Sequence, residues 1–196
     1  MAKKRLVVGI SGASGAIVGI ELLATLKAHR DWETHLVITG GGEITISQEA
    51  EYDLEAVQAL ADVVHPIDNI GATIASGSFE TEGMVVVPCS MKTVAGIAGG
   101  YSDNLLLRAA DVTIKEQRKL VLVARESPLS TIHLRNMLLL AEQGVVILPP
   151  MLTYYNLPSV IEDLNYHIIG KILDQFGIPL KEFRRWEGLE QTRLSF

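Results

Sequence analysis

The chain has 196 residues, 48% of them apolar, enough for one domain to bury a core without staples. Seventeen Lys+Arg against twenty-three Asp+Glu leave a net charge of -6 with no basic stripe, which excludes a protein that follows a nucleic-acid backbone and points to a small partner. A single cysteine, Cys89, rules out an intramolecular disulfide framework and a cysteine-rich zinc site, and suits a reducing cytoplasm. No segment approaches the length of a membrane span, and the first five residues lead into a strand-like run with no signal-peptide core. The mean hydropathy of +0.26 is high for a chain with 20% charged residues; such an apolar surplus is expected to be buried between subunits of a homo-oligomer.

The first apolar run, Arg5–Ser11, stops at Gly12 and is followed by helical spacing from Ala16 to about Ala28, with Ile17, Ile20, Leu23 and Leu26 on one face. Similar short runs recur at Thr34–Ile38, Met84–Val87, Leu120–Ala124 and Val145–Leu148. Helices are predicted at Asp53–Val64, Asn104–Gln117, Thr131–Gln143 and Ser159–Phe176, the last ended by Gly177 and Pro179. Gly71–Gly83 reads as a long loop, too short to separate domains. The expectation is a single α/β domain over residues 1–196: a Rossmann-like (flavodoxin-like), doubly wound parallel sheet of five strands with helices on both faces.

The turn Gly12-Ala13-Ser14-Gly15 joins the first strand to the first helix, where free N–H groups point at an anion and Ser14 adds a hydroxyl. It serves either a phosphate or tight helix–sheet packing. Its spacing is not the dinucleotide fingerprint, and Ile38-Thr39-Gly40 puts no acid at the end of the second strand, so a mononucleotide such as FMN fits better than NAD. Pro88-Cys89-Ser90-Met91-Lys92-Thr93 follows another strand; Ser90 reads equally as a ligand group or a helix N-cap, and Cys89 as inert core. Arg125-Glu126 sits directly after a strand, at the edge where open α/β sheets bind ligands, and Tyr154-Tyr155 is expected to follow the fifth strand likewise. Arg108, Asp111 and Lys115 share a helix face and read as an ion-pair ladder, and Lys171 by its pattern alone as a solvated lysine. The five histidines show no metal-ligand spacing, and no Asp-Asp-x-x-Asp run is present to hold magnesium on a diphosphate; no metal is expected.

Together these segments resemble the UbiX-type flavin prenyltransferase family, most closely the branch once named as a component of phenolic-acid decarboxylases. The resemblance is carried by Gly9–Ala16, Glu33–Val37, Ser76–Phe79, Pro88–Thr93, Arg108–Val112, Lys115-Glu116, Arg125–Leu129 and Leu173–Phe176, in that order, and runs from about Arg5 to Trp186. It implies transfer of a dimethylallyl group from dimethylallyl phosphate to reduced FMN, without a metal, to make the prenylated flavin used by a UbiD-type decarboxylase of aromatic or phenolic acids. By the same resemblance Gly12, Ala13, Ser14, Thr39, Ser90, Met91, Lys92, Thr93 and Arg125 bind FMN. Lys115, Arg125, Tyr155 and Lys171 meet the prenyl phosphate, with Arg108 and Trp186 close to the flavin and prenyl group. Glu126, Glu49, Ser14 and Lys115 form the catalytic set. A cytoplasmic homododecamer is implied, with sites at subunit interfaces and a C-terminal tail from about residue 180 packing on a neighbour. Thr39 stands where serine is usual, Gly40-Gly41-Gly42 where a helix usually starts, and Lys171 where arginine is usual, which keeps the charge but loses the fork. The competing functions are an FMN-dependent decarboxylase of the cysteine-decarboxylase group, whose Pro-Ala-Ser-Ala-Asn-Thr and Pro-x-Met-Asn motifs are replaced here, and a non-catalytic FMN carrier, which would need no second phosphate site.

Overall fold

The computed structural model describes residues 3–50 and 52–188. Its short apolar runs form six strands, β1 (Lys4–Ile10), β2 (Trp32–Ile38), β3 (Val63–His65), β4 (Gly83–Cys89), β5 (Lys119–Ala124) and β6 (Val146–Ile147). They pair in the order β3-β2-β1-β4-β5-β6, every pair parallel. Leu6, Val8, Leu36, Val85, Val86 and Val121 are completely buried, as strands covered on both faces must be. Without the three-residue edge strand β3, the other five run in flavodoxin order; with it the order is that of the Rossmann fold. The doubly wound sheet expected from the sequence is therefore present, with one strand more.

That strand corrects the predicted helix Asp53–Val64. The helix formed, α3, covers only Leu54–Gln58, with the Asp53 carboxylate accepting the Ala56 N–H at 2.6 Å as its N-cap. Beyond it a polar anchor takes the chain over: Asp62 Oδ2 accepts the Thr34 N–H at 2.8 Å and the Thr34 hydroxyl at 3.1 Å, while the Asp62 N–H donates to Thr34 Oγ1. This pins residues 63–65 beside β2, where the rings of His35 and His65 bond each other at 2.9 Å.

The remaining helices are α1 (Ala16–Lys27), α2 (Gly40–Glu49), α4 (Met91–Ala98), α5 (Leu105–Lys115), α6 (Thr131–Glu142) and α7 (Ile161–Gln175). The sequence predicts no helix at α2, because three glycines in a first turn oppose one. The Thr39 hydroxyl accepts the Gly42 N–H at 3.1 Å and starts it nevertheless. Residues 71–83 are a loop with one 3-10 turn, Thr73–Ala75. Ile20, Leu22, Leu23 and Leu26 of α1 and Leu105 and Leu106 of α5 are buried in the core, with Leu107 packed on Gly96 of α4, each such side chain contributing about 1.5–3 kcal/mol. The chain steps one way from β1 to β3 and the other way from β4 to β6. Right-handed crossovers then place helices on opposite faces, and a crevice opens at the C-terminal ends of β1 and β4.

The chain divides after Pro150 into two compact units. The second carries α7, which buries Ile168, Ile169, Ile172 and Leu173 and leaves Ile161 in its first turn 72% exposed. Phe183 lies against Gly170, where a side chain would strike its ring. Of the tail from about residue 180, residues 189–196 lie outside the described residues. Among the described residues no helix is long and apolar enough to cross a membrane.

Candidate active site

The crevice is built mainly by backbone. Ser11 Oγ donates to the Pro88 carbonyl at 3.1 Å and accepts the Ser90 N–H at 2.9 Å, tying the end of β1 to the end of β4. Gly15 takes a left-handed φ of 102°, which lets the chain turn into α1. At Gly12 an added Cβ would lie 2.9 Å from the Gly41 Cα, so the turn after β1 and the first turn of α2 touch backbone to backbone. Three helices, α1, α2 and α4, begin at this end of the sheet. Thr39 caps α2, and Ser90 Oγ caps α4 by accepting the Thr93 N–H at 3.3 Å. The first N–H groups of each helix have no acceptor within it, which makes all three anion sites.

One of the three is already taken by a side chain. Glu49 Oε2 accepts the Gly15 N–H at 2.7 Å and the Ala16 N–H at 3.3 Å, and the Ser14 hydroxyl also bonds this carboxylate. Burial pushes the Glu49 carboxyl up, but the bonds from Ser14, Gly15 and Ala16 and the charge of Arg125 outweigh it and hold the group below the ordinary carboxylate range. Beside it opens a cleft of about 340 Å³ lined by Gly12, Ala13, Ser14, Glu49, Ser90, Met91, Arg125 and Glu126, together with Ile44, Thr45 and Gln48 of α2. Arg125 is aimed from the end of β5, its N–H donating to the Cys89 carbonyl at 3.0 Å, and Glu126 accepts the Ser127 N–H at 3.1 Å. A mononucleotide fits these donors: the open starts of α2 and α4 suit one phosphate, and Arg125 offers a cation to a second.

The structure thus brings together Gly12, Ala13, Ser14, Glu49, Ser90, Met91, Arg125 and Glu126. Thr39 and Thr93 serve the helix caps at the same sheet edge, and Lys92 stands exposed in the first turn of α4. Ile44, Thr45 and Gln48 were missed because α2 was; the lone signal was Thr39 as an N-cap. Cys89 is completely buried and its thiol is pushed up by that burial, matching the inert reading.

Lys115 and Arg108 lie elsewhere. Helix α5 runs back from the crevice, so Lys115 ends it just before β5 begins, at the opposite edge of the sheet. The expected ladder forms only in part: Arg108 pairs with Asp111 at 2.7 Å and also donates to the Ala75 carbonyl, while Lys115 pairs with Glu116. Arg118 donates to the Phe79 and Gly77 carbonyls and fastens the 76–79 loop at that edge.

Tyr155, Lys171 and Trp186 belong to the second unit. Tyr155 does not directly follow a strand as expected, since β6 ends at Ile147. It meets Trp186 edge-on with ring centroids 5.5 Å apart, and His167 edge-on at 5.8 Å. Lys171 is exposed on α7 one turn beyond His167. Arg185 grips Asp174 through two nitrogens, at 2.9 and 2.5 Å.

The profile of the Flavoprotein family matches residues 1–171. A probable UbiX-like flavin prenyltransferase of Sedimentibacter hydroxybenzoicus is 53% identical over 184 residues, 94% of this chain and 97% of that one. A crystal structure described as a dodecameric FMN-dependent UbiX-like decarboxylase from Escherichia coli O157:H7 superposes with a TM-score of 0.93 at 52% identity, covering 94% of this chain and 100% of that one. That of AnUbiX (PadA1) in complex with FMN and dimethylallyl pyrophosphate also gives 0.93, at 49% identity over 95% of this chain and 99% of that one. The chain belongs to the flavoprotein family and, within it, to the UbiX-like flavin prenyltransferases.

Proposed function

We propose that the protein transfers a dimethylallyl group from dimethylallyl phosphate to reduced FMN, making the prenylated flavin that a UbiD-type decarboxylase uses. The observation that carries this reading is one cleft that combines open helix starts with Arg125, Glu126 and the Ser14–Glu49 pair. The UbiX relative solved with FMN and dimethylallyl pyrophosphate supports it.

Reduced FMN, when bound, supplies a nucleophilic ring nitrogen. Gly12, Ala13, Ser14 and Met91 wall the space for its ring. Its phosphate takes the starts of α2 and α4, with Thr39, Ser90, Lys92 and Thr93, because Glu49 covers the start of α1 and a second anion there would be repelled. Arg125 neutralises the departing prenyl phosphate, and Tyr155, Lys171 and Lys115 are assigned to the same phosphate. Each charge-assisted hydrogen bond stabilises it by about 1.5–3 kcal/mol. Glu126 accepts the proton that the flavin ring gives up as the new bonds form and passes it to the departing phosphate, and the Ser14 hydroxyl with Glu49 offers a second path for that proton. The Trp186 face shelters positive charge on the prenyl group, and Arg108 stands close to the bound pair.

Lys115, at the far edge of the sheet, is supplied by a neighbouring subunit of a homo-oligomer. An apolar face suited to such assembly is exposed on α6, where Ile132, Leu134 and Leu138 are each more than half exposed. The tail from about residue 180 packs on a neighbour, the assembly is a dodecamer like the solved relative, and the protein works in the cytoplasm.

The test is anaerobic incubation with reduced FMN and dimethylallyl phosphate, then mass analysis of the flavin. A flavin heavier by one dimethylallyl group is expected. Recovery of unmodified FMN alone, with both ligands bound, would leave the protein a carrier.

A further inference from the structure

Two buried polar atoms of the second unit, His167 Nδ1 and Asn156 Oδ1, have no hydrogen-bond partner. Both side chains line one cavity of about 240 Å³, with Pro158, Tyr166, Phe183 and Arg184. His167 is only 7% exposed. A buried ring nitrogen without a partner costs stability that a phenyl ring of similar shape would not. Packing alone therefore does not account for a histidine here.

Its neighbours supply a reason. The imidazole lies edge-on to Tyr155, the planes 89° apart, with Phe183 at 5.4 Å on another side and Trp186 beyond Tyr155. Lys171 follows at i+4 on α7, on the same helix face. The other charged and titratable groups nearby are largely engaged. Asp163 accepts the N–H groups of Ser159 and Val160, Asp174 holds Arg185, Arg184 donates to the Asn156 carbonyl, and Tyr166 donates to the Lys181 carbonyl. Glu182 lines the cavity and pairs with Lys181. Lys171 makes no ion pair among the described residues. Burial, and then the Lys171 charge, push the His167 pKa down from its ordinary value against the opposing pull of Asp174, so the ring is neutral at neutral pH.

We propose that His167 is a positioning residue for the prenyl-phosphate end of the site: a neutral ring that fixes Tyr155 edge-on and leaves the Lys171 ammonium to the substrate. This rests on the roles given to Tyr155 and Lys171 above. A protonated imidazole would set a second cation beside Lys171 and disturb both.

The experiment compares wild type, His167→Ala and His167→Phe under anaerobic conditions, measuring KM for dimethylallyl phosphate, kcat, and FMN affinity. At neutral pH His167→Ala raises KM about tenfold, with kcat within about twofold of wild type and FMN affinity unchanged; His167→Phe restores KM. Toward about pH 5.5 the wild-type KM climbs more steeply than that of His167→Phe, because both share the titration of the substrate phosphate and only wild type has the imidazole. The proposal is overturned by a wild-type KM in the alanine variant, by parallel loss of KM, kcat and FMN affinity, or by acid limbs that superimpose. Should His167→Ala fail to fold, the acid limbs of the other two proteins decide. Absence of prenylated flavin in all three proteins overturns the functional reading itself, a result distinct from any difference among them.

Discussion

The crevice at the ends of β1 and β4 and the cluster around α7 are both assigned to phosphates, yet they are made of different materials. In the crevice the groups that face an anion are backbone amides, fixed by Gly12 against Gly41 and by the caps Thr39 and Ser90. Around α7 they are the side chains of Tyr155 and Lys171, the first held edge-on between Trp186 and the His167 ring and the second carried on the helix itself. A backbone site tolerates changes of exposed side chains but not of the glycines that let it close; a side-chain site behaves the other way. Flavin affinity should therefore depend on glycines and caps, and prenyl-phosphate affinity on individual cations and the rings beside them.

The largest expected effect breaks the first half of that contrast. Gly12→Val pushes a branched side chain into the Gly41 backbone, which cannot yield as a side-chain tip can, so the folded variant is expected to purify without flavin. A folded, fully yellow Gly12→Val protein would place the cofactor elsewhere. Next in size is Glu126→Gln, which should retain FMN and slow single-turnover prenyl transfer by roughly a hundredfold or more, the usual scale for a lost proton shuttle. An unchanged rate removes Glu126 from the chemistry. Thr39→Ala, which deletes both a cap and a hydroxyl donor, should weaken FMN binding roughly tenfold, with Thr39→Ser restoring it. Ser14→Ala should weaken it less, because that hydroxyl is engaged with Glu49. Equal losses in a flavin titration of Ser14→Ala and Thr39→Ala would return the phosphate to the start of α1.

The smallest effect lies away from both sites. Burial, and then the His35 charge, lower the His65 pKa below its ordinary 6.5, so the unfolded chain binds the proton more tightly than the folded one. The stability that depends on a neutral His65 is complete above about pH 6.5 and is lost as pH falls through the lowered value. Thermal melts should show Tm dropping a few degrees over that window, and His65→Gln should flatten the drop. A wild-type Tm independent of pH between about 7 and 5 would contradict the linkage.

The contrast between backbone and side-chain sites also explains what the sequence revealed. Gly12–Gly15 and Ser90 mark strand-to-helix turns by local chemistry, and Arg125-Glu126 follows a strand too apolar to misread, so most of the crevice was legible from residue types. Helix α2 was not, since three glycines argue against a helix, and what sustains it is the packing of Gly41 on Gly12, the Thr39 cap, the buried Ile46 and the bonds that Glu49 accepts from the start of α1. Strand β3 has three residues and depends on Thr34, Asp62 and the His35–His65 bond, contacts between positions some thirty residues apart that no local pattern encodes. Around α7, Lys171 has the pattern of a solvated lysine, and its assigned role came only with the family resemblance. His167 gave no sequence signal, because its meaning lies in a ring contact to Tyr155 and an orphan nitrogen.

The most direct test of the division between the two sites is to measure, in Lys171→Ala, both the FMN dissociation constant and the KM for dimethylallyl phosphate under anaerobic turnover. Loss of one charged hydrogen bond should raise that KM about tenfold or more and leave FMN binding at the wild-type value, with Lys171→Arg active. A wild-type KM, or weakened flavin binding in its place, would contradict a side-chain clamp for one phosphate and a backbone cradle for the other.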